Sequence, residues 1–520
     1  IHCVVLLYPS FFHLSTLKLF PFACKVCYDK QYLFDKLLSN SPFDQNTGKG
    51  DQTMQLLQQV IQWIEQANQF INGIIWGPVL LILLAGSGLY FSLRTGFFQV
   101  RRSGEICRCT LGSLFGKNKD KTKKKDKNAI TPFQAMTTAL AGTLGTGNLV
   151  GVATAIVLGG PGAVFWMWIS AFFGMMTKYA EVALAVRFRS TDENGRYYGG
   201  PMLYIEKGLH MKWLACIFSA LCALASFGIG NMTQSNAISG ALEASFHIPL
   251  WISGVAVATI TAAVILGGVK RITKVTSALV PIMSIFYILG TSVVIILNWS
   301  EIPHAFALIL QGAFHPESAA GGIIGFTVAQ AMRYGFARGV FTNEAGLGSA
   351  PIAHAVADTD NPVEQGFWGM FEVFVDTIVV CTMTALVLLC SGVWNSTIPD
   401  TAMAAAAFSQ AFGKFGGYFI SIATALFAIS ALLGWCMYGE HSVAYLCKKS
   451  SFPVLIYRTV FIFLTVVGAT MKIDLAWDIS DTLNGLMAIP NLIGLIGLSG
   501  VVIKMTKDYI RDPSSVLMKK

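Results

Sequence analysis

Long apolar blocks constrain the fold of this 520-residue chain more than any other feature of its sequence. Four of them, near 71–93, 162–186, 277–298 and 373–393, each contain roughly 20 residues with few or no charges. A helix of that length crosses a hydrocarbon core of about 30 Å and satisfies its backbone N–H and C=O groups within one segment. The sequence therefore predicts an all-α, polytopic protein of the lipid bilayer.

The composition excludes several other classes of protein. Only 12% of the residues are charged and 54% are hydrophobic, whereas a soluble domain has about 25% charged residues. The net charge of +9 comes mostly from loops between apolar blocks, so it indicates membrane topology and not a nucleic-acid partner. The histidines lie mostly in loops, with no HExxH or GxSxG motif beside them. We therefore expect no enzyme, no catalytic residues and no cofactor.

The hydropathy pattern predicts eleven transmembrane helices, near 71–93, 134–158, 162–187, 213–238, 250–267, 277–298, 322–340, 366–391, 417–437, 453–470 and 483–503. Lysines and arginines are concentrated in alternate loops, and the loops on the opposite side contain only two basic residues, Lys414 and Lys472. The positive-inside rule then places the basic loops and the C-terminus in the cytoplasm. We expect a multi-pass protein of the cell membrane, which is the inner membrane if the source is Gram-negative.

A glycine-rich, polar stretch interrupts the second predicted helix. The sequence LAGTLGTGNLVGVATAIVLGG, from Leu140 to Gly160, is apolar enough for a membrane but mixes glycines with threonines and an asparagine. Such a stretch is tolerated where the backbone leaves helical geometry inside the protein and lines a cavity. The freed N–H groups then face an anion and the freed carbonyls a cation. The alternative is that the glycines only allow close helix packing.

A second stretch of the same kind, GFARGVFTNEAGLGSAPIAHA, runs from Gly335 to Ala355. With the first predicted helix set aside, the two stretches fall in the first helices of two five-helix halves. Because five is odd, the halves face opposite ways across the membrane. Interrupted helices at matching positions of two inverted halves indicate a secondary transporter with a site near the midplane. A channel would instead need a continuous polar pore.

This division gives the expected domain boundaries. Residues 1–53 form an atypical extension without function, and residues 54–133 form an extra N-terminal helix followed by a basic cytoplasmic loop. The two five-helix repeats occupy 134–298 and 299–503, and 504–520 is a cytoplasmic tail.

Several longer motifs resemble a known family. They are GGPGAVFWMWISAFFG, KYAEVALAVRFR, GGPMLYIEKGL, SFGIGNMTQSNAIS, GGVKRITKV, RGVFTNEAGLGSAPIAHA and GWCMYGE. Together they are similar to the sodium:alanine symporter family, also called alanine or glycine:cation symporters, from Met54 to about residue 505. The resemblance implies a leucine-transporter-like core of 5+5 inverted repeats with one extra N-terminal helix. It also implies uptake of small neutral amino acids, such as alanine and glycine, coupled to Na⁺.

The resemblance further implies the residues of a substrate pocket. The unwound part of the first core helix matches TLGTGN, which contributes Thr143, Gly145, Gly147 and Asn148. The polar pocket residue of the third core helix matches Gln234 in NMTQSN. We expect the substrate carboxylate to bind N–H groups near Gly145–Gly147 and the Asn148 side chain. The ammonium group would meet carbonyls of the second stretch and the Gln234 amide.

The eighth core helix contributes to both predicted sites. The aromatic pocket wall matches Trp435 in SALLGW and would limit the size of the substrate. Where we expect the family to have a threonine before ILGW, this chain has Ala431, which removes a hydroxyl from the predicted ligand set.

The predicted sodium site consists of oxygen donors at the first interruption. The candidates are the carbonyls of Ala141 and Leu144 and the hydroxyls of Ser430 and Thr146. The alternative for each hydroxyl is a hydrogen bond to a carbonyl of its own helix.

Glu372 and Asp376 lie four residues apart on one predicted helix face. Carboxylates inside a membrane are candidates for function, so these two could relay protons. We favour structural ion pairs with Arg333, Arg338 or Lys178 near the cytoplasmic end. In that interpretation the two arginines lie at the inner end of the seventh helix.

Three further glutamates lie in or beside predicted helices. Glu181 and Glu440 receive the same interpretation as structural ion pairs, and Glu344 is a candidate cap of a half-helix. A transporter of the same fold coupled to protons through Asp376 or Glu372 is the alternative to sodium coupling.

Overall fold

Helices make up nearly all of the chain that the computed structural model describes, which is residues 49–115, 130–192, 195–314, 328–448, 450–471 and 474–518. The predicted extension 1–53 lies mostly outside these residues, as does the start of the predicted seventh helix. By internal contacts the chain divides into two units, 1–64 and 65–520. Apart from the bounds of the first helix, which begins in the first unit, the description below concerns the second unit.

The N-terminal helices precede the first repeat. They are α1 (Lys49–Ile75), α2 (Pro78–Arg94), α3 (Phe98–Arg101), α4 (Ser103–Cys109) and α5 (Leu111–Phe115). Pro78 begins α2, where a missing N–H is tolerated.

The first half of the core follows. Its elements are α6 (Pro132–Thr143), a 3₁₀ turn (Thr146–Asn148), α7 (Val150–Gly159), α8 (Ala163–Arg187), strands β1 (Ser190–Thr191) and β2 (Tyr197–Tyr198), α9 (Pro201–Leu209), α10 (Lys212–Phe227), a π-helical segment (Gly228–Met232), α11 (Thr233–Phe246), α12 (Leu250–Ile265) and α13 (Gly268–Leu297). The two strands pair antiparallel.

The second half has a matching series. Its elements are a 3₁₀ turn (Trp299–Glu301), α14 (Ile302–Phe314), α15 (Val328–Asn343), α16 (Ala350–His354), α17 (Pro362–Val373), a π-helical segment (Phe374–Cys381), α18 (Thr382–Cys390), a 3₁₀ turn (Val393–Asn395), α19 (Asp400–Phe412), α20 (Lys414–Leu446), α21 (Ser451–Thr470), α22 (Asp474–Gly497), α23 (Ser499–Arg511) and a 3₁₀ turn (Pro513–Val516).

The two halves repeat one order of elements. In each half the repeated series begins with a broken helix, α6–α7 in the first half and α15–α16, which follows α14, in the second. A long helix, a short helix and three further long helices follow in both. This order confirms the predicted all-α fold with a discontinuous first helix in each half.

Within the described part of the chain, eight helices are long and apolar enough to cross a membrane: Gln62–Arg94, Ala163–Arg187, Lys212–Phe246, Gly268–Leu297, Pro362–Cys390, Lys414–Leu446, Ser451–Thr470 and Asp478–Gly497. Neither broken helix is among them, and each of their described pieces has at most 16 residues. Helix α12, a predicted span, is apolar but has only 16 residues. The total of eleven therefore stays a prediction.

Glycines allow the closest helix contacts around α8. A Cβ at Gly335 of α15 would lie 2.4 Å from the Ala163 carbonyl oxygen and 2.6 Å from Cβ of Trp166. Helix α17 approaches the same helix through Gly369, where a Cβ would lie 2.9 Å from the Val182 side chain. Since interiors are close-packed, added atoms here must push helices apart.

Replacing Gly335 by alanine should lower the free energy of unfolding by about 1–3 kcal/mol, because the added methyl overpacks a backbone contact. Gly240→Ala is the matched control, since a Cβ at this exposed helical glycine meets no atom within 4 Å. It should be neutral or slightly stabilising. Thermal unfolding of the purified variants in detergent measures both. Equal melting temperatures for the two variants would contradict the packing argument.

Candidate functional site

The first broken helix unwinds where the glycine-rich stretch predicts it. Helix α6 ends at Thr143, and Leu144 (φ −73°, ψ 92°) and Gly145 (φ −137°, ψ −157°) are extended. One 3₁₀ turn follows before α7 begins at Val150. The residues of this break, 144–148, are all buried. The stretch is therefore interrupted inside the protein, as predicted, and not merely closely packed.

The second broken helix opens between Asn343 and Ala350. Glu344, Gly346 and Gly348 have φ values of 53°, 95° and 87°, a left-handed region that glycine enters without steric cost. The Ser349 hydroxyl donates to the Glu344 carboxylate directly before α16. No side chain accepts a backbone N–H at the start of this helix among the hydrogen bonds described, so the role of Glu344 as a helix cap stays a prediction.

A hydrogen-bond network begins at the first break. The Asn148 side-chain oxygen accepts the Gly145 N–H at 3.0 Å, which closes the unwound turn. The Asn148 amide nitrogen donates to Asp376 Oδ1 at 2.7 Å. Asp376 lies in the π-helical segment at the middle of the span Pro362–Cys390.

The network continues to the second break. The Thr377 hydroxyl donates to Asp376 Oδ2 at 2.7 Å and accepts from Asn343 Nδ2 at 3.1 Å. The Asn343 side-chain oxygen accepts the Ala345 N–H at 3.0 Å. The two interruptions are therefore joined by side chains through one buried carboxylate.

This arrangement corrects the prediction for Asp376. We expected an ion pair near the cytoplasmic end, but the partners of this carboxylate are uncharged and contact both breaks. The sequence shows that the Asp376 carboxylate lies in an apolar segment, but it gives no sign that this carboxylate contacts Asn148. Asn343 and Thr377 were missed entirely, since each is a single polar residue whose partner depends on helix rotation.

Oxygen atoms converge where α6 ends. Ser430 Oγ of α20 lies 3.4 Å from the Ala141 carbonyl oxygen and 3.3 Å from that of Leu144. It lies 2.7 Å from the Phe427 carbonyl oxygen of its own helix. The hydroxyl has one proton, and it donates this proton in the shortest of the three contacts, to the Phe427 carbonyl oxygen. The structure thus brings three of the four predicted sodium donors together.

The predicted pocket residues surround Gly145 and Thr146. The Gln234 side-chain oxygen accepts the Thr146 N–H at 3.4 Å, and its amide nitrogen donates to the Ile229 carbonyl at 3.1 Å. A Cβ at Gly145 would lie 3.3 Å from the Gln234 side chain and 3.4 Å from Cβ of Ala431. Ala431, the departure from the expected family pattern, therefore borders the unwound turn directly.

Gly147 faces the other broken helix. A Cβ there would lie 3.3 Å from the Thr342 side chain and 3.4 Å from the Phe341 ring. The first break therefore lies between Gln234 on one side and α15 on the other.

Trp435 is 2% exposed and packs over the π-helical segment, where a Cβ at Gly230 would lie 2.3 Å from its Cβ. Its ring makes an edge contact with Tyr438.

The Thr143 hydroxyl donates to the Leu140 carbonyl of its own helix at 3.3 Å. Its predicted role in substrate binding stays a prediction.

Two of the other acidic residues, Glu372 and Glu440, form the ion pairs that we expected. Glu372 contacts Lys178 at 3.5 Å and His354 at 2.9 Å, and all three side chains are fully buried. Glu440 pairs with Arg458 at 2.6 Å.

Glu181 takes neutral partners instead of a close cation. Its carboxylate accepts from the Gly346 N–H at 3.1 Å and from Asn491 Nδ2 at 2.6 Å. The Glu181 carboxylate therefore links Gly346 of the second break to Asn491 of α22.

The predicted position of Arg333 and Arg338 at the inner end of the seventh helix stays a prediction, and among the described residues neither forms a salt bridge with Glu372. Both precede the second break, because the seventh helix continues through it to His354. Arg338 interacts electrostatically with Asp481 in the N-terminal part of α22, away from Glu372.

Comparison with known proteins agrees with these features. Residues 61–518 match the sequence model of the sodium:alanine symporter family. An uncharacterized transporter of Haemophilus influenzae is 48% identical, over 86% of this chain and 96% of that protein. The sodium/alanine symporter AgcS of Methanococcus maripaludis is 46% identical, over 84% of this chain and 96% of that protein.

Among solved structures, the chain is similar to Mhp1, a nucleobase-cation-symport-1 family transporter, in a closed conformation with bromovinylhydantoin bound. The identity is 13% and the TM-score 0.45, over 74% of this chain and 81% of that chain. The sequence relationships are much stronger, and they extend across both broken helices. The chain belongs to the sodium:alanine symporter family.

Proposed function

We propose that this protein carries alanine, glycine and similar small neutral amino acids into the cell together with Na⁺. The observation that carries the proposal is the convergence of Ala141, Leu144 and Ser430 oxygens at a buried helix break. The basic loops and the C-terminus lie in the cytoplasm, following the positive-inside rule.

The oxygen geometry suits a hard cation. The Ser430 proton is donated to Phe427, so the Ser430 lone pairs face the carbonyls of Ala141 and Leu144 without a hydrogen between them. Adjacent ligands at right angles, each about 2.4 Å from a hard cation, lie about 3.4 Å apart. The separations of 3.3 and 3.4 Å fit that arrangement. A Na⁺ ion at this point would relieve the repulsion between the oxygens and hold α20 to the break.

The substrate carboxylate has two N–H groups to bind at the first break. Gly145 already donates to the Asn148 side chain, which shapes the turn. The remaining candidates are the N–H groups of Thr146, whose contact with Gln234 is long at 3.4 Å, and of Gly147. The carboxylate replaces the Gln234 oxygen at Thr146, and the freed amide oxygen then accepts from the substrate ammonium.

The pocket is suited to a small side chain. Gly145 lies in near contact with Gln234 and Ala431, and Trp435, the aromatic pocket wall that the family resemblance implies, would close the space beyond them. One methylene in such a pocket changes affinity by about 1–3 kcal/mol. We therefore expect graded discrimination among glycine, alanine and serine, with strong exclusion of leucine.

Coupling follows from the shared break. Na⁺ stabilises the unwound geometry of α6, and that geometry exposes the N–H groups that the amino acid needs, so each ligand raises the affinity for the other. Entry of one Na⁺ through 100 mV supplies about 2.3 kcal/mol, in addition to its concentration gradient.

Proton coupling is the alternative, and one observation favours it. Asp376 is fully buried and its hydrogen-bond partners Asn148 and Thr377 are uncharged. A carboxylate in such surroundings could carry a proton between the two broken helices.

Ser430→Ala should raise the Na⁺ concentration for half-maximal alanine uptake by about tenfold or more, since one ligand to a buried cation is lost. Ser442→Ala is the matched control, because Ser442 is a buried serine of the same helix whose partners, the Tyr438 carbonyl and Cys222, do not belong to the predicted sodium site. Uptake into proteoliposomes over a Na⁺ series measures both. An unchanged Na⁺ dependence in Ser430→Ala argues against this site.

Trp435→Phe should reduce the preference for alanine over leucine by about tenfold, since the smaller ring leaves room for added methylenes. Trp213→Phe, which alters a tryptophan that is 61% exposed on α10, should leave the preference unchanged. Competition by unlabelled amino acids against labelled alanine gives the ratio. The pocket assignment fails if both variants behave as the unsubstituted protein.

Replacing external Na⁺ by choline should abolish alanine uptake into proteoliposomes held at equal pH on both sides. Asp376→Asn should not make uptake independent of Na⁺, because the proposed donors lie at Ala141, Leu144 and Ser430. Uptake that survives Na⁺ removal and collapses with the pH gradient would instead support proton coupling through Asp376.

A further inference from the structure

A cavity of about 340 Å³ lies far from the two breaks, between the ends of α2 and α23. The apolar segment Gln62–Arg94 ends at the cavity, and the apolar segment Asp478–Gly497 ends two residues before its first lining residue, Ser499. Both segments reach the membrane surface at these ends. The cavity therefore lies at the boundary between hydrocarbon and water.

The lining of the cavity is strongly basic. Arg94, Lys504, Lys507 and Arg511 contribute four positive charges, against one negative charge from Asp508. Among the residues that the structure describes, none of these four cations forms a salt bridge within 4.0 Å. All four are exposed at the surface of the protein.

Apolar side chains adjoin the basic lining on the membrane side. Leu93, next to Arg94, is 59% exposed, and Ile496, one turn before Ser499, is 50% exposed. Tyr90, which lines the cavity, is 41% exposed and offers a hydroxyl donor at the same level. The site thus combines cations without a salt bridge with exposed apolar side chains on the same two chain segments.

We propose that this cavity binds the phosphate headgroup of an anionic phospholipid. The cations Arg94, Lys504, Lys507 and Arg511 surround the phosphate, and the acyl chains lie along Leu93 and Ile496. A free soluble anion would need only the charges, whereas the adjoining apolar side chains fit an occupant with hydrocarbon tails. Basic pockets between helix ends at a membrane surface bind lipid headgroups by this combination of forces.

Lys504→Gln combined with Lys507→Gln tests the site in the full-length protein. Phosphatidylglycerol retained after purification should fall more than tenfold, since each juxtamembrane lysine contributes roughly fivefold to binding. Lys270→Gln with Lys274→Gln is the matched control, because it removes the same charge from α13, outside the cavity. Mass spectrometry of the intact protein–lipid complex counts bound lipids, and phosphatidylcholine is the neutral probe.

The expected result is retention of phosphatidylglycerol by the unsubstituted protein and the control, loss in the cavity variant, and weak binding of phosphatidylcholine by all three. Equal retention by both double variants overturns the proposal, and so does displacement of the lipid by millimolar inorganic phosphate, which identifies a site for free anions. If the double variant does not fold, the single substitution Arg511→Gln, at an exposed cavity residue, takes its place with an expected loss of about fivefold.

Discussion

Opening two helices inside a membrane protein releases backbone groups that lipid cannot satisfy, and the rest of the structure depends on how they are paired. At the first break the Asn148 side chain accepts the Gly145 N–H, and at the second the Asn343 side chain accepts the Ala345 N–H. Asp376 connects these two asparagines, directly to Asn148 and through the Thr377 hydroxyl to Asn343. Each break is thus held by a local cap, and the caps share one carboxylate.

That link gives the two halves of the transporter a common polar centre. Helix α20 approaches the same centre through Ser430, where the α6 carbonyls are left without helical partners. A movement of α20 against the broken helices would change the oxygen cluster and the pocket beside Ala431 together. Ion and substrate sites that share one unwound turn are a direct physical route to coupled transport.

The buried charges outside this centre have a different role. Lys178, Glu372 and His354 form a closed cluster with side chains that are fully inaccessible to solvent. Burying such charges is costly unless each one is paired, so the cluster fixes how α8, α16 and α17 meet. Glu181 does the same for the second break through Asn491 and the Gly346 N–H. These contacts fix the positions of the helices that surround the two breaks.

From the sequence alone, the helical fold and the two interruptions could be predicted, and so could the meeting of the Ala141, Leu144 and Ser430 oxygens, because hydropathy, glycine content and family motifs are local properties. Other contacts between groups that are distant in the sequence could be identified only from the folded structure. Asn148 and Asp376 are 228 residues apart, and their contact depends on the rotation and packing of two helices that no local pattern encodes.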